Sequence, residues 1–220
     1  MDLFEAIEGR TSIRAYKTTP VPKETLLKLL EAARRSPSWA NTQPWEFSVL
    51  GGDAIAEVKR KLEQKVAENA VSVPDMPWPT LPDKYMDRQR ENGRQVFATL
   101  GIAREDKEKR RQWTLKMARF FDAPNGLIIY IDRGLSSWSF IDVGLVLQTI
   151  TMAAHGLGLG TCLMGAVIRY PEVLREVLHI PQSKLILCGM SLGYPDPSAP
   201  INKMLTAREP LESFVTWHGV

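Results

Sequence analysis

Near the N-terminus, Arg10-Thr11-Ser12-Ile13-Arg14 sets two guanidinium groups around two hydroxyls. Guanidiniums bind phosphate oxygens through charge-assisted hydrogen bonds, and the hydroxyls add neutral donors, so the set suits a phosphate monoester. Further on, Pro37-Ser38-Trp39-Ala40-Asn41-Thr42-Gln43 places the neutral hydrogen-bonding side chains of Ser38, Asn41, Thr42 and Gln43 beside a large indole. That surface suits a planar ligand rich in heteroatoms. Each stretch also has a plain structural use. Two arginines are common in a surface loop, and Ser and Asn side chains routinely cap and turn a helix-to-strand connection.

Other catalytic signatures are missing. No Gly-x-Ser-x-Gly elbow, His-Glu-x-x-His, P-loop or paired-carboxylate pattern occurs, and His155, His179 and His218 are scattered without metal-ligand spacing. No metal site and no side chain acting as a catalytic acid, base or nucleophile is expected. Gly156-Leu157-Gly158-Leu159-Gly160 invites comparison with a dinucleotide fingerprint, but Thr161 stands where the third glycine belongs and a helix, not a strand, precedes it.

Arg-x-Ser-x-Arg at 10–14, followed by Pro-Ser-x-x-Asn-x-Gln-Pro-Trp at 37–45, resembles the nitroreductase family of flavin enzymes. The resemblance extends through Ala207-Arg208-Glu209-Pro210-Leu211 and leaves only residues 71–116 outside. It implies an α+β fold, a central mixed sheet surrounded by helices, in a homodimer that exchanges C-terminal strands. It also implies FMN as cofactor, with NADH or NADPH as donor. Arg10, Thr11, Ser12 and Arg14 then serve the phosphate, ribityl and pyrimidine side of FMN, with Arg208 as a further phosphate cation. Pro37, Ser38, Trp39 and Asn41 match the segment that reaches FMN from the partner subunit, while Gln43 steadies that loop. Met164 and Gly165 match the backbone beside flavin N5. A ring-holding Lys or Asn of the family has no clear counterpart here; Gln112 and Lys116 are the candidates.

A flavin accounts for the missing catalytic side chains, because the isoalloxazine carries the redox chemistry and the protein binds, orients and sets the electrostatics. The activity implied is two-electron transfer through flavin N5 from NAD(P)H to a nitroaromatic or quinone, in a ping-pong sequence with both substrates using one ring face. Reductive dehalogenation, flavin fragmentation and non-enzymatic redox sensing would use the same binding motifs.

Composition sets the bounds. The chain has 220 residues, 44% hydrophobic and 24% charged, enough for one buried core. A net charge of +3 calls for no nucleic-acid partner. Residues 83–119 nevertheless hold 11 Lys and Arg against 6 Asp and Glu, a surplus that a solvated helical surface explains. Cys162 and Cys188 sit in apolar runs and read as buried thiols rather than a disulfide. The opening residues lack a signal-peptide pattern and no apolar run approaches a membrane span, so a cytoplasmic location is expected.

The elements that must position these residues follow from periodicity. Asp2 caps a short helix ended by Gly9; an amphipathic helix covers 23–34; residues 45–50 form a strand; Gly51-Gly52 turns and Asp53 caps a third helix. Four prolines between positions 73 and 82 forbid regular helix. Two charged helices, about 83–100 and 105–121, then make a helical excursion of one domain spanning 1–220, with 73–119 as a lid whose Trp78, Tyr85 and Trp113 offer apolar contacts over the ring face. A strand at 126–132 leads into an apolar helix capped by Ser136 or Ser137, in which Gly144 points to close approach of a neighbouring backbone. Strands at 159–163 and 184–190 flank a helix from Pro171, and residues 214–217 form a last strand able to reach another subunit.

Overall fold

The computed structural model describes residues 2–220. Helix α1 (Leu3–Gly9) begins as its sequence directs: the Asp2 carboxylate accepts from the Phe4 amide and Glu5 accepts from the Asp2 amide, a reciprocal capping box. Helix α2 (Lys23–Ala33) buries Leu29 and Ala33, strand β1 (Glu46–Leu50) follows, and α3 (Gly52–Ala67) buries Ile55, Val58 and Leu62. The cap of α3 is Gly51 rather than Asp53, which already lies in the first turn, where its charge favours the helix's positive end. Beyond the proline-rich segment come α4 (Asp83–Thr99) and α5 (Lys107–Ala118). The chain continues through β2 (Asn125–Asp132), α6 (Ser139–Gly156), β3 (Gly160–Met164), α7 (Pro171–Leu178) and β4 (Lys184–Gly193).

The four strands lie in the order β1-β2-β4-β3, and each neighbouring pair is antiparallel. Parallel pairing, expected of a mixed sheet, is confined to one bridge, Ser12 with Thr161, because the N-terminal segment touches the β3 edge too briefly to form a strand. Alternation along β2 assigns its side chains to two layers. Ile128 packs with Val58, Leu62, Phe120 and Leu174 on one face; Leu127, Ile129 and Ile131 pack with Leu29, Val146 and Ile150 on the other. Helices α3, α5 and α7 thus cover one side of the sheet, and α2 and α6 the other.

Three local expectations change. Helix α6 starts at Ser139 with no side-chain cap; Ser136 and Ser137 instead accept through their backbone carbonyls from the Ser139 and Phe140 amides. A Cβ at Gly144 would meet nothing within 4 Å, so no backbone of the same chain approaches it. Residues 214–217 form no strand: Phe214 follows a single 3-10 turn (Leu211–Ser213), and Phe214 and Trp217 are 67% and 70% exposed. The Phe214 and Val215 amides instead turn back to the Leu211 carbonyl, at 3.1 and 2.9 Å, and no described strand pairs with this segment. Both cysteines are free; Cys162 is buried, and burial pushes the half-buried Cys188 thiol up to about 12.

Candidate functional site

The segment carrying Arg10, Thr11, Ser12 and Arg14 lies along β3. The Ile13 amide donates to the Thr161 carbonyl at 2.9 Å, beside the Ser12–Thr161 bridge. Such close approach requires Gly160, since a Cβ there would fall 2.6 Å from Ile13 Cγ1. Asn202 completes the clamp: its Oδ1 accepts from the Arg14 and Ala15 amides at 2.8 and 3.1 Å, and its Nδ2 donates to the Ala15 and Asp196 carbonyls at 2.8 and 2.9 Å. The Tyr16 hydroxyl donates to the Ile13 carbonyl and meets Ser191 Oγ, both at 2.7 Å.

So held, Arg10, Thr11, Ser12 and Arg14 line a cavity of about 410 Å3 with Thr206 and Arg208. Among the described residues, Arg10, Arg14 and Arg208 have no carboxylate within 4.0 Å. Arg208 instead donates to the Thr206 and Ala207 carbonyls and the Thr206 hydroxyl. Glu8 also lines the hollow, and three guanidiniums against that one carboxylate still leave it net positive, which favours an anion.

A second cavity of about 360 Å3 begins where the first ends, with Arg14 lining both. Its floor is the end of β3 and the following turn, Cys162, Met164 and Gly165; its cover comes from Asn92 and Phe97 of α4 and Trp113 and Met117 of α5. Trp78, from the proline-rich segment, stands directly over Gly165: a Cβ there would lie 3.0 Å from the indole. Gln112 and Lys116 do not line this space, and Gln112 donates to Glu108 instead. The adjoining positions 113 and 117, one helical turn apart, are the ones that face inward. Burial pushes the Cys162 thiol up and the Tyr16 phenol well up, so at neutral pH both stay protonated and neither acts as a base.

Pro37, Ser38, Trp39 and Asn41 line neither cavity. Their loop is held from within, with Ser38 Oγ accepting from the Gln43 amide at 3.0 Å and Gln43 Nε2 donating to the Asn41 carbonyl at 3.1 Å. Ala40, Asn41 and Gln43 all adopt positive φ, a strained conformation for side-chain-bearing residues. From outside, the buried Asp142 of α6 accepts from the Trp39 amide at 2.9 Å. Trp39 and Asn41 are exposed.

Sequence reasoning names Trp113 of α5 among the contacts over the ring face but passes over Asn202, Tyr16 and the site-lining role of the inward residues of α4. The last had a signal in their spacing, since 92, 93, 96 and 97 share one helical face. Asn202 had none, because its partners are nearly the whole chain away.

Known proteins are similar to this chain in sequence and fold. The family profile described as "Nitroreductase family" matches residues 7–194. A 4-nitrobenzoate reductase of Pseudomonas putida is 34% identical over 99% of this chain and 96% of its own, and a nitrobenzene nitroreductase of Ectopseudomonas oleovorans is 37% identical over 97% and 95%. Among solved structures, the FMN- and NADPH-dependent nitroreductase NfnB of a "sphigopyxis" strain superposes with a TM-score of 0.96 at 28% identity, covering all of both chains. NfnB of Mycobacterium smegmatis in complex with NADPH gives 0.93 at 27% identity, over 98% and 97%. The match runs through both the phosphate-side segment and the β3 floor, and the chain belongs to the nitroreductase family.

Proposed function

We propose that the protein is an FMN-dependent NAD(P)H nitroreductase that takes two electrons from NADH or NADPH and delivers them to a nitroaromatic or quinone in a ping-pong sequence. The observation that carries this reading is the pair of adjoining cavities joined at Arg14, one cationic and one aromatic. The residues present fit FMN. Arg10, Arg14 and Arg208 would neutralise its phosphate, Thr11 and Ser12 would serve the ribityl chain, and the Met164–Gly165 backbone would lie along the ring. FMN, when bound, supplies the two-electron chemistry itself. The chain's own part is positional: Asn202 and Gly160 hold the arginines in place, while Phe97, Trp113, Met117 and Phe121 exclude water from the second cavity. No side chain there is in a state to move a proton, so none is assigned as catalytic.

The working unit in this reading is a homodimer with shared sites, in the cytoplasm. Leu3, Phe4 and Ile7 of α1, Trp39, Trp138, and Phe140, Ile141 and Leu145 of α6 are exposed large hydrophobics. They are contiguous, because α1 packs on α6 and Trp39 is bonded to Asp142. An apolar face of this kind favours a protein interface, and the open space at Gly144 leaves room for a partner helix. Pro37, Ser38, Trp39 and Asn41 would then reach the partner's flavin, and the 214–217 arm would pair as a strand only across the dimer. Among the described residues no helix is long and apolar enough to cross a membrane. The segment 73–119 serves as a lid whose Trp78 and α5 residues select the acceptor.

The test is spectroscopic. Purified protein should show flavin absorbance, release FMN on acidification, bleach when NADH or NADPH is added without oxygen, and recover colour with 4-nitrobenzoate. Released FAD, or a colourless protein that takes up no FMN, overturns the cofactor; bleaching that no nitroaromatic or quinone reverses overturns the acceptor class.

A further inference from the structure

Asp75 lies in the proline-rich segment, yet its carboxylate is held in the body of the protein. Its Oδ2 accepts from the Ile186 amide at 2.8 Å and from the Arg175 guanidinium, and Arg133 Nη2 stands 3.2 Å away. Both arginines are themselves fixed on the turn that leads into β4. Arg175 donates to the Pro181 and Lys184 carbonyls at 3.1 and 3.0 Å, and Arg133 to the Gln182 and Lys184 carbonyls at 3.2 and 3.1 Å. Among the described residues, Asp75 and Arg175 form the one ion pair in which neither side chain is more than 10% exposed. Taking two charges out of water costs about as much as their attraction returns, so such a pair adds little net stability; what it fixes is position.

What it positions follows along the chain. Just before Asp75, Tyr170 donates to the Ala70 carbonyl at 3.1 Å and Ser72 to the Arg169 carbonyl at 3.2 Å, so residues 70–75 are tied down beside α7. From Met76 to Leu81, among the described residues, the chain forms no hydrogen bond with the body of the protein. Pro77 and Pro79 flank Trp78, each locking its own φ and restricting the residue before it, which stiffens this stretch. Trp78 is thus carried on a stiff arm, at most about 10 Å of chain from the anchor. Its indole reaches Gly165 on the floor of the second cavity, where a Cβ would lie 3.0 Å away. We propose that Asp75 is a positioning residue for acceptor selection: held by Arg175, Arg133 and the Ile186 amide, it sets the Pro77-Trp78-Pro79 arm and so keeps the indole over Gly165. This rests on the reading that Trp78 limits which acceptor enters, and it locates the control of that wall outside the cavity.

The parent, Asp75→Asn, Trp78→Ala and the double variant are compared, each with its cofactor as isolated. The ratio of kcat/KM for 1-nitronaphthalene to that for nitrobenzene is measured, and hydrogen exchange of the peptide covering 73–82 is followed by mass spectrometry without substrates. Asp75→Asn should raise the ratio by about tenfold, the low end of what one apolar contact in a pocket discriminates, and should speed exchange in the peptide. In the Trp78→Ala background the same change should leave the ratio unmoved, because the wall through which it acts is gone. A merely structural role would move the ratio alike in both backgrounds or in neither. Arg133→Gln, which removes the more exposed cation and leaves Arg175 in place, should shift the ratio the same way by less, and it decides the matter if Asp75→Asn does not fold. A parental ratio in the Asp75 or Arg133 variant, or an equal shift in both backgrounds, overturns the proposal. An unmoved ratio in Trp78→Ala overturns instead the reading that Trp78 selects the acceptor; quickened exchange in Asp75→Asn then still supports its hold on the arm, and unchanged exchange overturns that as well.

Discussion

Residues 10–14 and residues 37–43 both carry side chains proposed to bind the cofactor, yet the fold treats them in opposite ways. The first segment is clamped by distant parts of its own chain, by Thr161, Asn202 and Ser191, and opens onto a cavity that the same chain completes. The second is braced by hydrogen bonds within itself and by Asp142, keeps three left-handed residues, and holds Trp39 67% exposed beside an apolar surface. Strain of this kind, held in an exposed loop, is consistent with the proposed role of these side chains at a partner's site. In the proposed dimer, one segment would serve its own chain's site and the other a neighbour's.

The largest effect should come from breaking the first clamp. Gly160→Val puts side-chain atoms into the place of Ile13; overpacking of this kind costs about 1–3 kcal/mol or more. Thermal unfolding should shift down and bound flavin should fall in the same preparation. A variant with parental Tm and full flavin would mean that residues 10–14 do not depend on β3.

Next, Arg10→Ala or Arg208→Ala should weaken FMN binding by about 1.5 to 3 kcal/mol, the loss of a charged hydrogen bond. The two-region comparison is sharpened by mixing Arg10→Ala chains with Asn41→Ala chains. If the two segments serve one flavin from different subunits, the mixed dimer regains one intact site, and flavin content and NAD(P)H oxidation rise above either parent. Mixing without recovery, judged by mass in solution and FMN per dimer, would return both segments to a single chain. Truncation after Pro210 should disturb dimer mass and flavin together; a flavin-loaded monomer would refute the shared site.

A milder change is expected at the lid. Trp78→Ala removes the indole over Gly165 and should alter KM among acceptors of different size while flavin content holds. A change in stability alone would make the segment structural.

The smallest effect concerns Cys188, whose thiol is pushed up to about 12 by burial. A group protonated more tightly in the fold than in the unfolded chain, where a thiol titrates near about 8.5, contributes stability that is full below that pH. It is lost as pH rises towards the folded value. Melting between pH 8 and 10 should therefore slope downward less in Cys188→Ala than in the parent, and a thiol reagent should label Cys188 only under denaturing conditions. Ready labelling of the native protein would contradict the burial.

Several helices were legible from pattern alone, because capping and periodicity are local: Asp2 with Glu5 starts α1, and Leu29 and Ala33 mark the inner side of α2. The binding residues were legible for another reason, since arginines and hydroxyls close in sequence stay close in space. What lay beyond reading was long-range. Gly160, read simply as part of a strand at 159–163, is the seat of Ile13; Asn202 ties the tail to residue 14; and Trp113 and Met117, rather than Gln112 and Lys116, face the second cavity, with α5 packed on α3. The terminal 214–217 segment shows the same limit from the other side. Its alternating apolar residues carry strand propensity, but a strand exists only where another offers its edge, and one chain offers none there. By itself the sequence determined which residues are candidates for the chemistry and where most helices form; tertiary structure decided which of them meet, because a contact between distant residues is a property of packing and not of spacing.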